Sequence, residues 1–177
     1  MKTTQILIAG FGGQGVLFAG KFLAYKGLSQ GKQLSWLPSY GPEMRGGTAN
    51  CSVILSDMPV GSPIITNPDA LVAMNLPSLQ KFVDSVVPGG HIFVDSTLIT
   101  AKVERTDVHV HYIPATQMAK DAGFSTLANM ILTGKALKEM DIVSWEGNRE
   151  TLESFIPAKK ANLIDINCQA LQTGYDF

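Results

Sequence analysis

Apolar positions along the chain fall into two rhythms: short unbroken runs closed by glycine or proline, and longer stretches at helical spacing. Gln5 to Ala9 is a run of the first kind and predicts a buried strand. Val16 to Gly27 places Val16, Ala19, Phe22, Leu23 and Tyr25 on a broad helical face. Lys32 to Trp36 predicts a second strand, so the chain opens with a β-α-β unit. Pro38 to Gly47 holds three glycines and two prolines and predicts a loop. Ala49 to Leu55 alternates, with Ala49, Cys51, Val53 and Leu55 against Asn50, Ser52 and Ile54. That pattern predicts a half-buried strand antiparallel to a neighbour.

Further along, Asp57 to Gly61 predicts a turn, with Pro63 to Ile65 pairing back as a short strand. Ala70 to Met74 predicts a buried strand, and Pro77 suits a helix start before the stripe Leu79, Phe82, Val83 and Val86. His91 to Asp95 and Val108 to Ile113 predict two more strands. Helices are expected over Phe124 to Met140, Asn148 to Ile156 and Lys159 to Gln172. Strands alternating with helices imply an α/β fold. The expected architecture is a three-layer α/β/α single domain over 1–177, with a mostly parallel but mixed sheet and a Rossmann-like start.

Composition narrows the classes. Of 177 residues, 45% are hydrophobic and only 16% are charged, below the usual quarter, which fits a surface partly covered by another subunit or a small domain with large apolar helices. A net charge of −1 argues against nucleic acid as a partner. The first acidic residue is Glu43, and Lys2, Lys21, Lys26 and Lys32 precede it, so the first third predicts a field that attracts anions. Cys51 and Cys168 have no paired spacing, which argues against a disulfide framework, a zinc site or a cluster site. No apolar segment is long enough for a signal peptide or a membrane span, so a cytoplasmic location with reduced thiols is expected.

Gly10, Gly12 and Gly15 fit GxGxxG between a strand and a helix, with Gly13 and Gln14 inside the turn. Such a turn lets backbone amides approach a phosphate at a helix N-terminus. A dinucleotide site also needs an acidic residue about 20 positions on, for the ribose hydroxyls. None stands there, which argues against NAD. Ser39, Tyr40, Arg45, Gly46 and Gly47 form a second recognition segment. Its arginine offers a planar fork to a carboxylate or phosphate, and its glycines admit close approach. His109 and His111 share one strand face without an evident third metal ligand, and read as polar residues on an exposed or interface face; His91 has no evident role. Nothing supplies a complete nucleophile–base set.

The segments GFGGQGV at 10–16 and PSYGPEMRGGTANC at 38–51 resemble the gamma subunit of 2-oxoacid:ferredoxin oxidoreductases. NPDALVAMNLPSL at 67–79 and the NxxxLESFIPAKKxxxI pattern from Asn148 extend the resemblance over essentially the whole chain. It implies a multisubunit enzyme that oxidatively decarboxylates a 2-oxoacid with coenzyme A, giving acyl-CoA, carbon dioxide and reduced ferredoxin. The wording SYGPEMRGG looks most like the 2-oxoglutarate branch; the pyruvate and branched-chain branches stay open.

By the same resemblance, thiamine diphosphate, magnesium and [4Fe-4S] clusters belong to partner alpha, beta and ferredoxin-like delta subunits. This chain would be noncatalytic alone, a structural or gating subunit with a coenzyme A-receptive edge and a possible homodimer when isolated. The expected ligand residues are Gly10, Gly12, Gly13, Gln14, Gly15, Ser39, Tyr40, Arg45, Gly46 and Gly47. A freestanding nucleotide-binding protein is the alternative of another class.

Overall fold

The computed structural model describes residues 2–40 and 48–177. Its strands are β1 (Thr3–Phe11), β2 (Gln33–Tyr40), β3 (Thr48–Ser56), β4 (Ala70–Ala73), β5 (His91–Asp95) and β6 (His109–Ile113). They form one sheet in the order β2-β3-β1-β4-β5-β6. β4 runs parallel to β1, as do β5 to β4 and β6 to β5. β3 is antiparallel to both β1 and β2. The sheet is therefore mostly parallel and mixed. β1 and β2 point the same way but are separated by β3, so the opening β-α-β unit spans a gap that a later strand fills.

The helices are α1 (Val16–Ser29), α2 (Leu76–Phe82), α3 (Ala115–Asp121), α4 (Ala128–Met140), α5 (Asn148–Glu153) and α6 (Asn162–Asp176). Strand side chains alternate between two cores. Ile6, Ile8, Val53, Leu55, Phe93 and Ile113 pack with Phe22 and Leu23 of α1, Ile131 of α4 and Leu171 of α6. Leu7, Leu71, Ile92 and Val94 pack on the other face against Leu79 of α2 and Ile99. Three layers result, with the heavier helical layer on the α1 side. α4 and α6 approach so closely that a Cβ on Gly134 would strike the Leu171 carbonyl, and one on Gly174 would strike the Ile131 carbonyl.

Several expectations need correction. Pro63 to Ile65 forms no strand; three prolines in residues 59–68 remove the donors a ladder needs. Instead Pro59 to Ile64 lies beside Ile54 and Ser56, which leaves β3 buried on both faces rather than half-buried. Pro38 to Tyr40 continue β2 instead of joining the loop. An edge strand tolerates a proline whose missing donor faces outward. The remainder of that loop, 41–47, lies outside the described residues. Helix formation over Phe124 to Met140 begins only at Ala128, and α3, which the apolar spacing did not suggest, precedes it. α3 is a single seven-residue segment after Pro114, too short to show a period.

Candidate functional site

The turn after β1 is built by its glycines. Gly13 (φ 96°) and Gly15 (φ 74°) hold left-handed backbone that other residues adopt at a cost. Gly15 is the N-cap of α1 and offers no side-chain cap. The first-turn amides of Val16, Leu17 and Phe18 thus have no hydrogen-bond partner among the described residues, and no acidic side chain lies in that turn. Asn129 of α4 donates from Nδ2 to the Gly15 carbonyl at 2.9 Å. A Cβ on Gly15 would meet that same Nδ2 at 2.5 Å. The Asn129 Oδ1 is buried and has no partner among the described residues.

Gln14 is committed internally. Its Oε1 accepts from the Phe11 amide at 2.7 Å, and its Nε2 donates to the Met74 carbonyl at 2.9 Å. This ties the turn to the end of β4. Gly10 is closed over by Gln14 Oε1, 2.6 Å from where a Cβ would stand, and by Met74. Both residues therefore shape the turn from within.

A shallow cleft of about 240 Å³ opens beside the turn, lined by Phe11, Gly12, Gly13, Gly15, Phe18 and Tyr40, among others. Phe11 pairs with Thr48 and Tyr40 with Ala49 across β3. The turn and the end of β2 consequently meet at one edge, although β3 lies between their strands. Tyr40 faces the α1 side, with Trp36 and Leu34. Ser39 alternates to the opposite face with Leu37 and does not line the cleft. Arg45, Gly46 and Gly47 lie outside the described residues.

Three of the four lysines of the N-terminal third do not contribute to the expected field. Lys26 is fully buried, and its Nζ donates to the carbonyls of Trp145 (3.3 Å) and Glu146. Burial lowers its pKa, while Glu146 and Glu150 oppose the shift. Lys32 pairs with Asp57 at 2.6 Å, and Lys2 precedes β1 at the sheet's other edge. Cys51 is equally removed from chemistry. Burial pushes its thiol up to about 12, and its Sγ donates to the Val16 carbonyl at 3.4 Å.

The three histidines, which the sequence presents as separate polar residues, form one group. His91 opens β5 opposite His109, and His111 lies opposite Phe93. The His91 Nδ1 and His111 Nε2 are 3.1 Å apart, with ring planes 4° from parallel and centroids 5.3 Å apart. Those values put the rings edge to edge in one plane, sharing one N–H···N bond. Burial lowers the pKa of both rings; His109 lowers that of His91 further, and Glu139 of α4 raises that of His111. Among the described residues no three His, Cys, Asp or Glu side chains converge as a metal site. The only sequence signal was the period-two placement of His109 and His111; their pairing with His91 depends on register.

With this geometry in hand, comparison with known proteins is informative. The pyruvate ferredoxin/flavodoxin oxidoreductase family model matches residues 5–177. Ketoisovalerate oxidoreductase subunit VorA of Methanothermobacter thermautotrophicus is 41% identical over 98% of this chain and 36% of its own length. This chain thus spans little more than a third of that relative. 2-Oxoglutarate synthase subunit KorC of Methanocaldococcus jannaschii is 32% identical over 97% of this chain and 92% of its own. The crystal structure of the keto/oxoacid ferredoxin oxidoreductase gamma subunit from Geobacter sulfurreducens superposes with a TM-score of 0.81 at 31% identity, covering 98% of this chain and 96% of that one. A match that spans nearly every residue of sequence and sheet alike leaves one conclusion: the chain belongs to the pyruvate ferredoxin/flavodoxin oxidoreductase family.

Proposed function

We propose that this chain is the gamma subunit of a cytoplasmic 2-oxoacid:ferredoxin oxidoreductase, an enzyme that decarboxylates a 2-oxoacid oxidatively and passes the acyl group to coenzyme A. Its relatives carry the names of ketoisovalerate, 2-oxoglutarate and pyruvate enzymes, which supports a 2-oxoacid as substrate without selecting among these three. In this reading partner subunits supply thiamine diphosphate, magnesium, the iron–sulfur clusters and the contact with ferredoxin. The whole chain acts as one domain that forms part of the coenzyme A entrance.

The observation that carries the coenzyme A assignment is the cleft at the N-terminus of α1. The residues of the uncapped first turn line it, the helix dipole favours negative charge there, and no acidic side chain lies in that turn. Gly12, Gly13, Gly15 and Tyr40 line it. Gly10 and Gln14 hold the turn in shape. Arg45, with Gly46 and Gly47 beside it in the sequence, adds a bidentate cation to the phosphate end.

Arg45→Ala in the assembled enzyme tests this reading. One charge-assisted contact is worth on the order of 1.5–3 kcal/mol, so the apparent Michaelis constant for coenzyme A is expected to rise roughly ten- to a hundred-fold. That for the 2-oxoacid should stay unchanged. Unaltered coenzyme A kinetics in a variant whose subunits separate would make the segment an interface element only. Rates with 2-oxoglutarate, 2-oxoisovalerate and pyruvate, measured on the same preparation, assign the substrate.

A further inference from the structure

Three asparagines are buried among the described residues: Asn75, Asn129 and Asn167. Each leaves one side-chain amide atom without a partner among those residues. A buried amide satisfied on one side only costs stability, so the bond it does make indicates its role. For two of the three that bond is local. The Asn75 Oδ1 accepts from the Ser78 amide at 2.8 Å and caps α2. The Asn167 Nδ2 donates to the Leu163 carbonyl one turn back in α6, at 2.7 Å. Asn129 instead reaches a residue 114 positions away, the Gly15 of the glycine turn.

The Gly15 carbonyl belongs to the peptide unit whose other end is the Val16 N–H. That unit is planar and trans, so its C=O and N–H point opposite ways. Holding the carbonyl against Asn129 therefore directs the Val16 N–H away from α4. Glycine adopts left-handed and right-handed backbone about equally, so Gly13 and Gly15 permit the turn without holding it. Gln14 fixes the first half through Phe11 and Met74, and Asn129 fixes the second. The Gly15 carbonyl also accepts from the Ala19 amide at 3.0 Å, so a single atom ties the turn, the start of α1 and α4 together. Donation into this carbonyl polarises the peptide and makes its N–H a stronger donor.

We infer that Asn129 is a positioning residue for coenzyme A: it does not line the cleft, but through Gly15 it sets the direction of the first amide of α1. This inference rests on the functional reading above. It assigns to α4 a part in binding that the glycine turn alone does not supply.

The test is Asn129→Ala in the assembled enzyme, with Asn167→Ala as the control, since Asn167 is as buried and as half-satisfied but bonds only within α6. Misdirected amides weaken binding of the ligand and of the transition state alike, so KM for coenzyme A is expected to rise about ten-fold with kcat unchanged. KM for the 2-oxoacid should also stay unchanged. The control should lose a similar amount of Tm and keep its coenzyme A KM. Should Asn129→Ala fail to fold, Asn129→Asp keeps the volume. Its carboxyl donates to the Gly15 carbonyl only while protonated, so its coenzyme A KM relative to the wild type should rise with pH.

An unchanged coenzyme A KM in Asn129→Ala, beside a raised one in Arg45→Ala, overturns this inference alone. So does an equal rise in the Asn167→Ala control, a parallel change in all the kinetic constants, or a pH-independent ratio in Asn129→Asp, each of which makes Asn129 a structural residue only. An unchanged coenzyme A KM in both Asn129→Ala and Arg45→Ala overturns the functional reading with it, and that outcome is distinct from the others.

Discussion

The two edges of one sheet are built to opposite specifications. Among the described residues the carboxyl edge is closed by glycines and lined with exposed apolar groups, and its Asp95 carboxylate is buried and accepts from Thr97 and Thr116. The amino edge carries the Lys32–Asp57 and Arg105–Asp107 ion pairs, and Asp69 accepting from the Gln5 amide at 2.7 Å. The three histidines also gather at that end of β5 and β6. Strand direction explains why such a division is possible. Five of the six strands point the same way, so their ends sort by edge, and each edge acquires the composition of one set of loops. The Gly13–Gly15 turn opens at the carboxyl edge, where ligands of α/β sheets generally bind, while the Lys32–Asp57 and Arg105–Asp107 pairs lie at the other.

The comparison breaks entirely if the element spanning both edges is displaced. α4 runs from Asn129, against Gly15, to Glu139, whose charge acts on His111. Its seat on α6 depends on Gly134 and Gly174, where a Cβ would strike a backbone carbonyl. Gly174→Ala is therefore expected to destabilise by more than about 3 kcal/mol, since backbone cannot move aside as a side chain can. Thermal denaturation should show either a large fall in Tm or no folded protein. A change within error would mean that the helices separate freely and that the two edges are not coupled.

A smaller substitution addresses the carboxyl edge alone. Gly15→Ala combines left-handed backbone with a methyl 2.5 Å from Asn129 Nδ2. About 2 kcal/mol is expected, or roughly 4–8 °C in Tm. Adding Asn129→Gly should return only the steric part. Hydrogen exchange should localise the loosening to the turn and the start of α4, leaving β5 and β6 protected.

The smallest effect concerns the amino edge and is read through pH. Burial lowers the pKa of His91 and His111 in the folded chain. The unfolded chain therefore takes up protons first as pH falls below about 6.5. Stability is full above that value and declines as pH drops toward the lowered folded values. Both rings are only half-buried, so solvent screening leaves a loss on the order of 1 kcal/mol, about 2–4 °C, by pH 5.5. His91→Phe with His111→Phe should flatten the profile there without altering protection at the glycine turn. An unchanged slope would assign the pH dependence to other groups.

The sequence by itself determined the six strands in their order, with one strand too many at Pro63–Ile65, and also the three-layer α/β class and the glycine turn, because each rests on a local pattern. Buried strands are apolar runs, and a turn with left-handed backbone needs Gly13 and Gly15 wherever it occurs. Short elements escaped it: α3 is too brief to show a period, and Pro38 did not stop β2 because that strand lies at the edge. Composition also misled where position mattered. Lys2, Lys21, Lys26 and Lys32 read as one cationic field, yet burial removes Lys26 from it, Asp57 pairs Lys32, and Lys2 lies at the other edge. Only the tertiary structure decided that β3 separates β1 from β2, that Gln14 is spent on Met74, and that His91 meets His111. Each of these is a pairing between distant residues, fixed by sheet register, and register depends on how the whole core packs rather than on any one segment.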